Sequence, residues 1–402
     1  MDLILDIFNY SIVAILIGIC GAWIFLIKTM TDSFRFTPYL DRFENKSKTN
    51  PKVSIILPAR NEEEFIGKCL DSLIQQDYEN YEIIAIDDSS EDSTWDIISK
   101  YASKHPKIVP VSAKPKPEGW MGKNWACMEG YKKSTGELLL FTDADTKHAK
   151  NIITLAVSHL NSFDLDALSA IPKMLTFDFW TNITLPMIST FLHTRFSALN
   201  VNNPKKKTGY FFGSFFILKK TTYQEIGMHE GVKQEIIEDG ALGKKMKEAG
   251  YKMKMVRAEH LVEAIWARDK DTLWNALKRL MVPLYLQSSK IAIGIFFAVT
   301  FLLFVPFPIF VTSLAFPVET ISAKMLCMTS GIASILIYIG AIIEVKTGLE
   351  LKLRYALFAP IGSLVVVLGF LSGLLQAKKS SSVTWRGRSY SMKDHTQSSI
   401  SI

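Results

Sequence analysis

The chain has 402 residues, 48% of them hydrophobic and 21% charged, with a formal charge of +7 and a mean hydropathy of +0.16. Charge this sparse excludes a disordered chain and a small disulfide-stapled secreted module, and the hydropathy excludes a wholly soluble enzyme. The apolar residues gather at the two ends and leave one medium-sized globular region between them.

From Ile7 to Ile27 no charged residue occurs, and a helix needs about 20 apolar residues to cross the hydrocarbon core. Asp2 and Asp6 precede this run and Trp23, Phe25 and Leu26 stand near its end, unlike a cleaved signal peptide, so residues 1–30 are expected to be a retained anchor. Lys28, Arg35, Arg42, Lys46 and Lys48 follow it. The positive-inside rule therefore places the N-terminus outside and residue 28 onward in the cytoplasm, in the plasma membrane of the cell.

Short apolar runs then alternate with helical patterns. Val53 to Leu57 reads as a strand, followed by Pro58-Ala59-Arg60-Asn61 and a helix carrying Phe65, Ile66, Cys69, Leu70, Leu73 and Ile74. Tyr81 to Ile86 is a second strand, ending in Asp87-Asp88-Ser89-Ser90 before a helix from Thr94 to Ala102. Ile108 to Val111 is a third, and Gly136 to Phe141 a fourth, ending in Thr142-Asp143-Ala144-Asp145-Thr146 before a helix from Asn151 to Leu160. This alternation predicts an α/β domain with a mostly parallel, Rossmann-like sheet over residues 50–265, and such sheets bind ligands at the carboxyl ends of their strands. Every acidic cluster named so far lies at that end. Neither GxxxxGK[ST] nor GxGxxG occurs, so those two phosphate-binding loops are excluded.

Asp143 and Asp145 stand two residues apart at a strand end, where extended backbone would put both carboxylates on one side and let them hold Mg²⁺ or Mn²⁺ against a diphosphate. Capping of the next helix by Asp145 or Thr146 is the competing account. Asp87 and Asp88 offer acceptors for a nucleobase imide or a ribose hydroxyl, again against a capping role. Lys123 and Arg60 are possible counter-charges for a diphosphate. Ile236-Ile237-Glu238-Asp239-Gly240 opens a helix through Leu242, Lys245, Met246 and Ala249 that Gly250 closes. Its acids either favour the positive helix end or include a general base, Asp239, for an acceptor hydroxyl.

Taken in order, Val53-Ser54-Ile55-Ile56-Leu57-Pro58-Ala59-Arg60-Asn61-Glu62-Glu63, Ile86-Asp87-Asp88-Ser89-Ser90, Thr142-Asp143-Ala144-Asp145 and Glu238-Asp239 resemble the inverting glycosyltransferases of family 2. The resemblance covers residues 50 to about 290 and implies a GT-A fold and a nucleotide-diphospho-sugar donor, of the UDP-glucose type. It implies nucleotide contacts at Pro58, Arg60, Glu62 and Asp87, metal and diphosphate at Asp143 and Asp145, and Asp239 as catalytic base. Gly119-Trp120-Met121-Gly122-Lys123-Asn124-Trp125-Ala126-Cys127 and Thr384-Trp385-Arg386-Gly387-Arg388-Ser389-Tyr390 are similar to a membrane-bound subgroup that includes hopene-associated, carotenoid-acid and ceramide glycosyltransferases. That subgroup implies a lipid acceptor, and Trp385, Arg386 and Arg388 returning to close the catalytic face. Two departures stand out. No Gln-x-x-Arg-Trp occurs, which points to single addition rather than polymerisation, and Gly209-Tyr210-Phe211-Phe212-Gly213-Ser214 replaces the Asn-Gly that relatives often carry.

Residues 266–290 are expected to lie in the membrane interface, with Trp274 and Tyr285 at headgroup level, and residues 176–200, with Trp180 and Phe191, either there or in the globular core. Three further uncharged runs, Ile291 to Val318, Met325 to Ile343 and Tyr355 to Ala377, are long enough to cross, though Pro306, Pro308 and Pro317 suit a kinked or re-entrant hairpin in the first. The tail, 378–402, carries Lys378, Lys379, Arg386, Arg388 and Lys393 against Asp394, which favours a cytoplasmic location or contact with anionic lipid. Cys20, Cys69, Cys127 and Cys327 show neither zinc nor disulfide spacing. The basic residues flank membrane segments, so the net charge does not point to nucleic acid. Two other readings remain open: a polyprenyl-phosphate acceptor of the dolichol-phosphate mannose synthase kind, and a membrane protein that binds a sugar nucleotide without turning it over.

Overall fold

The structure is a computed structural model, described over residues 2–42, 49–316, 319–379, 382–385 and 388–391. It divides into two compact units: Met1–Phe36, Thr176–Ser197 and Ala267–Val383 form one, and Thr37–Leu175, Ala198–Trp266 and Thr384–Ile402 the other.

Residues 37–266 of the second unit carry ten strands among the described residues: β1 (Val53–Ala59), β2 (Tyr81–Asp87), β3 (Ile108–Ser112), β4 (Leu138–Phe141), β5 (Lys147–His148), β6 (Ala167–Ile171), β7 (Lys173–Leu175), β8 (Phe216–Lys219), β9 (Met253–Arg257) and β10 (Val262–Ile265). Seven form one sheet in the order β3-β2-β1-β4-β8-β6-β9, and β5, β10 and β7 form a smaller one. Only β8 runs antiparallel to its neighbours in the larger sheet. Because β1, β2 and β4 are apolar along almost their whole length and buried at nearly every position, both faces of the sheet must be covered. The helices Ile66–Ile74 and Ile152–Ser162 cover one face with Ile66, Cys69, Leu70, Leu73, Ile152, Ile153, Ala156 and Val157, which join Ile55, Leu57, Ile83 and Leu140 in one core, and Gly130 of the helix Gly122–Lys133 lies against Ile56 and Ile86 on the other.

Sequence periodicity places most of these elements within two residues. Strand β1 continues past Leu57 through Pro58, because the missing proline N–H falls where the ladder is ending; Ala59 O still accepts from Asp88 N at 2.8 Å. Gly136 is not in β4: a Cβ there would lie 2.6 Å from Lys52 O, so it serves as a close approach before the strand. The helix Gly122–Lys133 has no amphipathic stripe to betray it, since Gly122, Asn124, Trp125, Ala126, Cys127, Met128, Glu129 and Gly130 are all buried.

In the first unit, three helices are long and apolar enough to cross a membrane among the described residues: Leu3–Phe36, Ile321–Gly348 and Leu353–Lys379. The run read as kinked is a pair, Ser289–Leu303 and Pro306–Ala315, bent by 46°. Pro306 opens the second member, where its missing N–H costs nothing. Residues 317 and 318 lie outside the described residues. The helix Phe179–Arg195 falls inside the stretch 50–265 read as one domain, yet it clusters with the apolar helices. Its His193 Nδ1 lies 2.9 Å from both oxygens of the fully buried Glu344, which also accepts from Ser189 Oγ at 2.9 Å. An uncapped carboxylate could not be kept there, which is why this helix carries polar residues on a buried side. The helix Lys270–Gln287 occupies the stretch assigned to the interface, opened by a capping box between Asp269 and Thr272.

Two glycines clamp a loop that matters below. A Cβ on Gly243 would lie 2.7 Å from the backbone N, Cα and C of Tyr210, and one on Gly209 would lie 1.9 Å from Gly243 O. Gly243→Ala is therefore expected to destabilise this unit by roughly 1–3 kcal/mol through overpacking. A thermal unfolding midpoint equal to that of the wild type would show that the loop is not clamped there.

Candidate active site

Four segments converge at the carboxyl end of the larger sheet: the loop after β4, the start of the helix Gly122–Lys133, the loop 209–214 and the start of the helix Glu238–Glu248. Lys123 Nζ lies 2.7 Å from Asp143 Oδ1 and 2.6 Å from Glu238 Oε1. Gly213 stands against all of them: a Cβ there would meet Asp239 Oδ2 at 2.9 Å, Asp143 Oδ2 at 3.2 Å and Lys123 Nζ at 3.2 Å.

Local bonds explain the convergence. Asn124 Nδ2 donates to Val232 O at 2.7 Å and Glu235 O at 3.0 Å, and Met121 N to Lys233 O at 2.7 Å, tying the helix that carries Lys123 to the loop leading into Glu238. Thr142 Oγ1 donates to Ser214 O at 2.7 Å and sits 3.1 Å from His148 Nε2, which joins the loop after β4 to the loop 209–214. Thr146 Oγ1 donates to Asp143 O at 2.7 Å. Burial holds the His148 imidazole neutral, its pKa pulled down to about 4.

Electrostatics follow from three carboxylates around one ammonium. Burial works against the Lys123 charge, but Asp143, Glu238 and Asp239 outweigh it and hold the ammonium firmly protonated. Burial, then the neighbouring Glu238 carboxylate, pushes the Asp239 carboxyl up to about 7. Tyr210 shares the site: burial first, then Asp239 and Glu238, raise its phenol well above the ordinary range. Cys127, one turn beyond Lys123, is driven up by burial and stays an inert thiol. Glu238, Tyr210 and Gly213 were not singled out from sequence as site residues; the signals available were the acidic neighbour of Asp239 and the glycines at 209 and 213.

Asp143 and Asp145 are not displayed by a pleated strand. The chain leaves β4 at Phe141 and turns at Ala144-Asp145, so the same-side argument from strand alternation does not apply. Asp143 faces Lys123, and the charges of Asp145 and Asp143 both act on the buried Cys69 thiol. Neither Asp145 nor Thr146 caps the following helix, whose N-cap is Asn151.

A second group lies two strands away, about 10 Å by strand spacing, at the ends of β1 and β2. Asp87 Oδ1 and Asp88 Oδ1 are buried without a hydrogen-bond partner among the described residues. Arg60 is committed to this corner: it donates to Asp88 O at 2.7 Å and to Ser89 O, and pairs with Glu91 at 3.0 Å. It therefore braces the turn after β2 rather than standing at the lysine site. Asn61 and Ser89 hold positive φ of 53° and 54° there, a conformation that costs a non-glycine residue energy and tends to persist at functional sites. Pro58 ends β1 beside them, and Glu62 is buried with its backbone N donating to Thr94 Oγ1. Arg388, in the strand Arg388–Ser391, donates to Asp88 Oδ2 at 2.6 Å and Asp88 O at 3.2 Å. Burial raises the Asp88 carboxyl even against Arg388 and Arg60. Arg386 and the side chain of Trp385 lie outside the described residues.

The oxygen-rich set around Gly213 fits a hard divalent cation. Asp143 Oδ2 and Asp239 Oδ2 face Gly213 beside the Lys123 ammonium. Among the described residues no group of three or more His, Cys, Asp or Glu could hold a metal ion by itself, so a divalent cation there would need substrate phosphates and water to complete its coordination.

Residues 54–227 match the profile of glycosyl transferase family 2. That match runs from β1 through β8 of the sheet unit. Its fold is GT-A: a mannosyltransferase, PcManGT, of Pyrobaculum calidifontis, solved with GDP-Man and Mn²⁺, superposes with a TM-score of 0.53 at 16% identity, covering 91% of this chain and 98% of that one. A 4,4'-diaponeurosporenoate glycosyltransferase of Staphylococcus haemolyticus is 28% identical over 212 residues, 51% of this chain and 55% of the relative. A poly(ribitol-phosphate) beta-glucosyltransferase of Bacillus spizizenii is 38% identical over 96 residues, 23% of this chain and 15% of the relative. The chain thus spans about half the length, or less, of these curated relatives.

Gly213→Ala tests whether the cluster is assembled for turnover. The added methyl must displace a carboxylate or the ammonium, and a shift on the order of 1 Å can cost about 10²-fold in rate. Donor turnover is expected to fall by roughly that factor with the unfolding midpoint nearly unchanged; full activity would place the reacting atoms elsewhere.

Proposed function

We propose that this protein transfers one hexose, with inversion, from a nucleotide-diphospho-sugar to a lipid hydroxyl or carboxyl at a membrane surface. The observation that carries this reading is the convergence of Asp143, Lys123, Glu238 and Asp239 at the carboxyl end of the sheet in a family 2 domain, where burial and Glu238 push the Asp239 carboxyl up to about 7. A base poised near neutrality is suited to take a proton from an attacking hydroxyl.

In this reading Asp87 and Asp88, with their unpartnered oxygens, receive the nucleoside, and Arg388 closes over them from the tail. Pro58, Arg60 and Glu62 shape that pocket. Asp143 and Asp145 would hold Mg²⁺ or Mn²⁺, which would supply positive charge to the leaving diphosphate. Lys123 adds its ammonium to the same phosphates. Asp239 accepts the acceptor proton as its oxygen attacks the anomeric carbon from the far side, through an oxocarbenium-like transition state by analogy with glycoside chemistry.

A lipid acceptor is favoured by the apolar helices of the same chain and by the name of the diaponeurosporenoate relative. In this reading, sidedness rests on parity. The strand Arg388–Ser391 belongs to the same unit as the sheet, and its Arg388 touches Asp88. We therefore read an even number of crossings between residues 267 and 383. The helices Ile321–Gly348 and Leu353–Lys379 supply two crossings, so the bent pair Ser289–Leu303 and Pro306–Ala315 enters and leaves by one face. With the basic residues after Leu3–Phe36, that face is the cytoplasmic one.

Purified protein in native-lipid nanodiscs, supplied with a panel of nucleotide sugars and Mg²⁺ or Mn²⁺, should release nucleotide and add one hexose mass to a lipid. Asp239→Asn should cut turnover about 10²- to 10⁴-fold with donor affinity retained. An inert substitution would point to a phosphate acceptor, which needs no base, and donor binding without transfer to any lipid would mark a non-catalytic binder.

The pH profile gives an independent check. Asp239 is competent only when ionised, so kcat/KM should climb as pH rises through about 7. Since its folded pKa lies above the ordinary carboxylate value, its contribution to stability is fully present below that value and is lost as pH rises through about 7. A rate profile flat between pH 6 and 8, on the order of one unit either side, would remove Asp239 from the base role.

A further inference from the structure

We propose that Lys123 is the resident cation of the acidic site: until a diphosphate arrives, its ammonium neutralises the Asp143 carboxylate that a divalent cation would need, so metal enters only together with the nucleotide. This rests on the reading of Asp143 as a metal ligand.

The geometry is specific. Lys123 Nζ bonds Asp143 Oδ1 at 2.7 Å and Glu238 Oε1 at 2.6 Å, with its side chain 19% exposed. The helix it stands on is fixed at Met121 and Asn124 by the loop 232–235, so the ammonium is delivered to Asp143 rather than drifting near it. Glu238 belongs to a different segment and secures the ammonium independently of Asp143.

A divalent cation approaching Asp143 in the nucleotide-free protein would meet a positive charge already on that carboxylate, and the two cations repel. A donor diphosphate changes the balance. It brings negative charge and several acceptor oxygens, and a lysine with three donors on a flexible stem can shift one bond from Asp143 to phosphate while keeping Glu238. The Asp143 carboxylate is then released to the metal. Metal and nucleotide would each tighten the other's binding by the same factor, as linkage requires. Lys123 would thus act twice, as gatekeeper of the metal ligand and then as phosphate ligand.

The test is Mn²⁺ binding to the full-length protein, following the free ion by electron paramagnetic resonance, with and without UDP or GDP. Wild type should bind Mn²⁺ weakly alone and more tightly with one of the nucleotides, by a factor in the roughly 5- to 150-fold range usual for linked sites. Lys123→Met should bind Mn²⁺ about tenfold or more tightly than wild type without any nucleotide, and Lys123→Arg, which keeps the charge, should stay weak. If wild type binds Mn²⁺ as tightly without nucleotide as with it, or Lys123→Met gains nothing, the gate is overturned. The two wild-type titrations can overturn the gate even where Lys123→Met does not fold. In that case, loss of Mn²⁺ binding in Asp143→Asn would leave the metal-ligand reading standing. Nucleotide binding that is indifferent to Mn²⁺ and to Asp143→Asn would overturn both.

Discussion

One buried ammonium organises the reactive end of this fold. Lys123 reaches Asp143 on the loop after β4 and Glu238 at the mouth of the helix Glu238–Glu248, segments about 95 residues apart in sequence that no strand pairing joins. Without that charge, three carboxylates would face one another in a poorly solvated space, and repulsion would either open the loops or force protons onto them. Removing one partner of such a buried pair ordinarily costs about 3–5 kcal/mol, because the remaining charge is stranded. The ion pairs are better read as specifying the arrangement than as a source of net stability. The neutral bonds of Asn124 and Thr142 carry the packing around them.

The same sheet end handles its two acidic groups in opposite ways. At the ends of β1 and β2, Asp88 is buried yet answered by two guanidiniums, Arg388 and Arg60, so that it acts as a fixed acceptor and a tether for the tail. At the lysine site, Asp239 has Glu238 as its neighbour, and the resulting repulsion keeps its carboxyl ready to exchange a proton near neutrality. Burial alone would raise both. After burial, the largest influence differs: Arg388 lowers the Asp88 carboxyl, whereas Glu238 raises that of Asp239.

Much of the fold is legible in the chain because a sheet covered on both faces needs long apolar strands, and its helices need an apolar stripe: β1, β2 and the helix Thr94–Ala102 are all plain in the sequence. The helix Gly122–Lys133 was not recognised as a helix, since being buried all round removes the stripe that periodicity detects. The helix Phe179–Arg195 was ambiguous for a related reason. Its polar residues, Ser189 and His193, answer a Glu344 that lies about 150 residues further on. Residue identities at the site were legible where a motif carried them, as at Asp143 and Asp239. The partners were not: no local pattern says that Lys123 will meet Glu238, or that Arg60 will be consumed by the backbone of the next turn.

The loop 209–214 shows where borrowed expectations end and the chain's own chemistry begins. Relatives often carry Asn-Gly there, whereas here Gly209 and Gly243 press the two backbones together and Gly213 lies bare against Asp143, Asp239 and Lys123. Tyr210, on the same loop, has its phenol kept protonated by burial and by the Asp239 and Glu238 carboxylates. A phenol held in that form can donate a hydrogen bond beside Asp239 without competing with it for a proton. The glycines and Tyr210 are thus one device: the glycines let the loop come close enough, and closeness to the carboxylates fixes the state of the phenol.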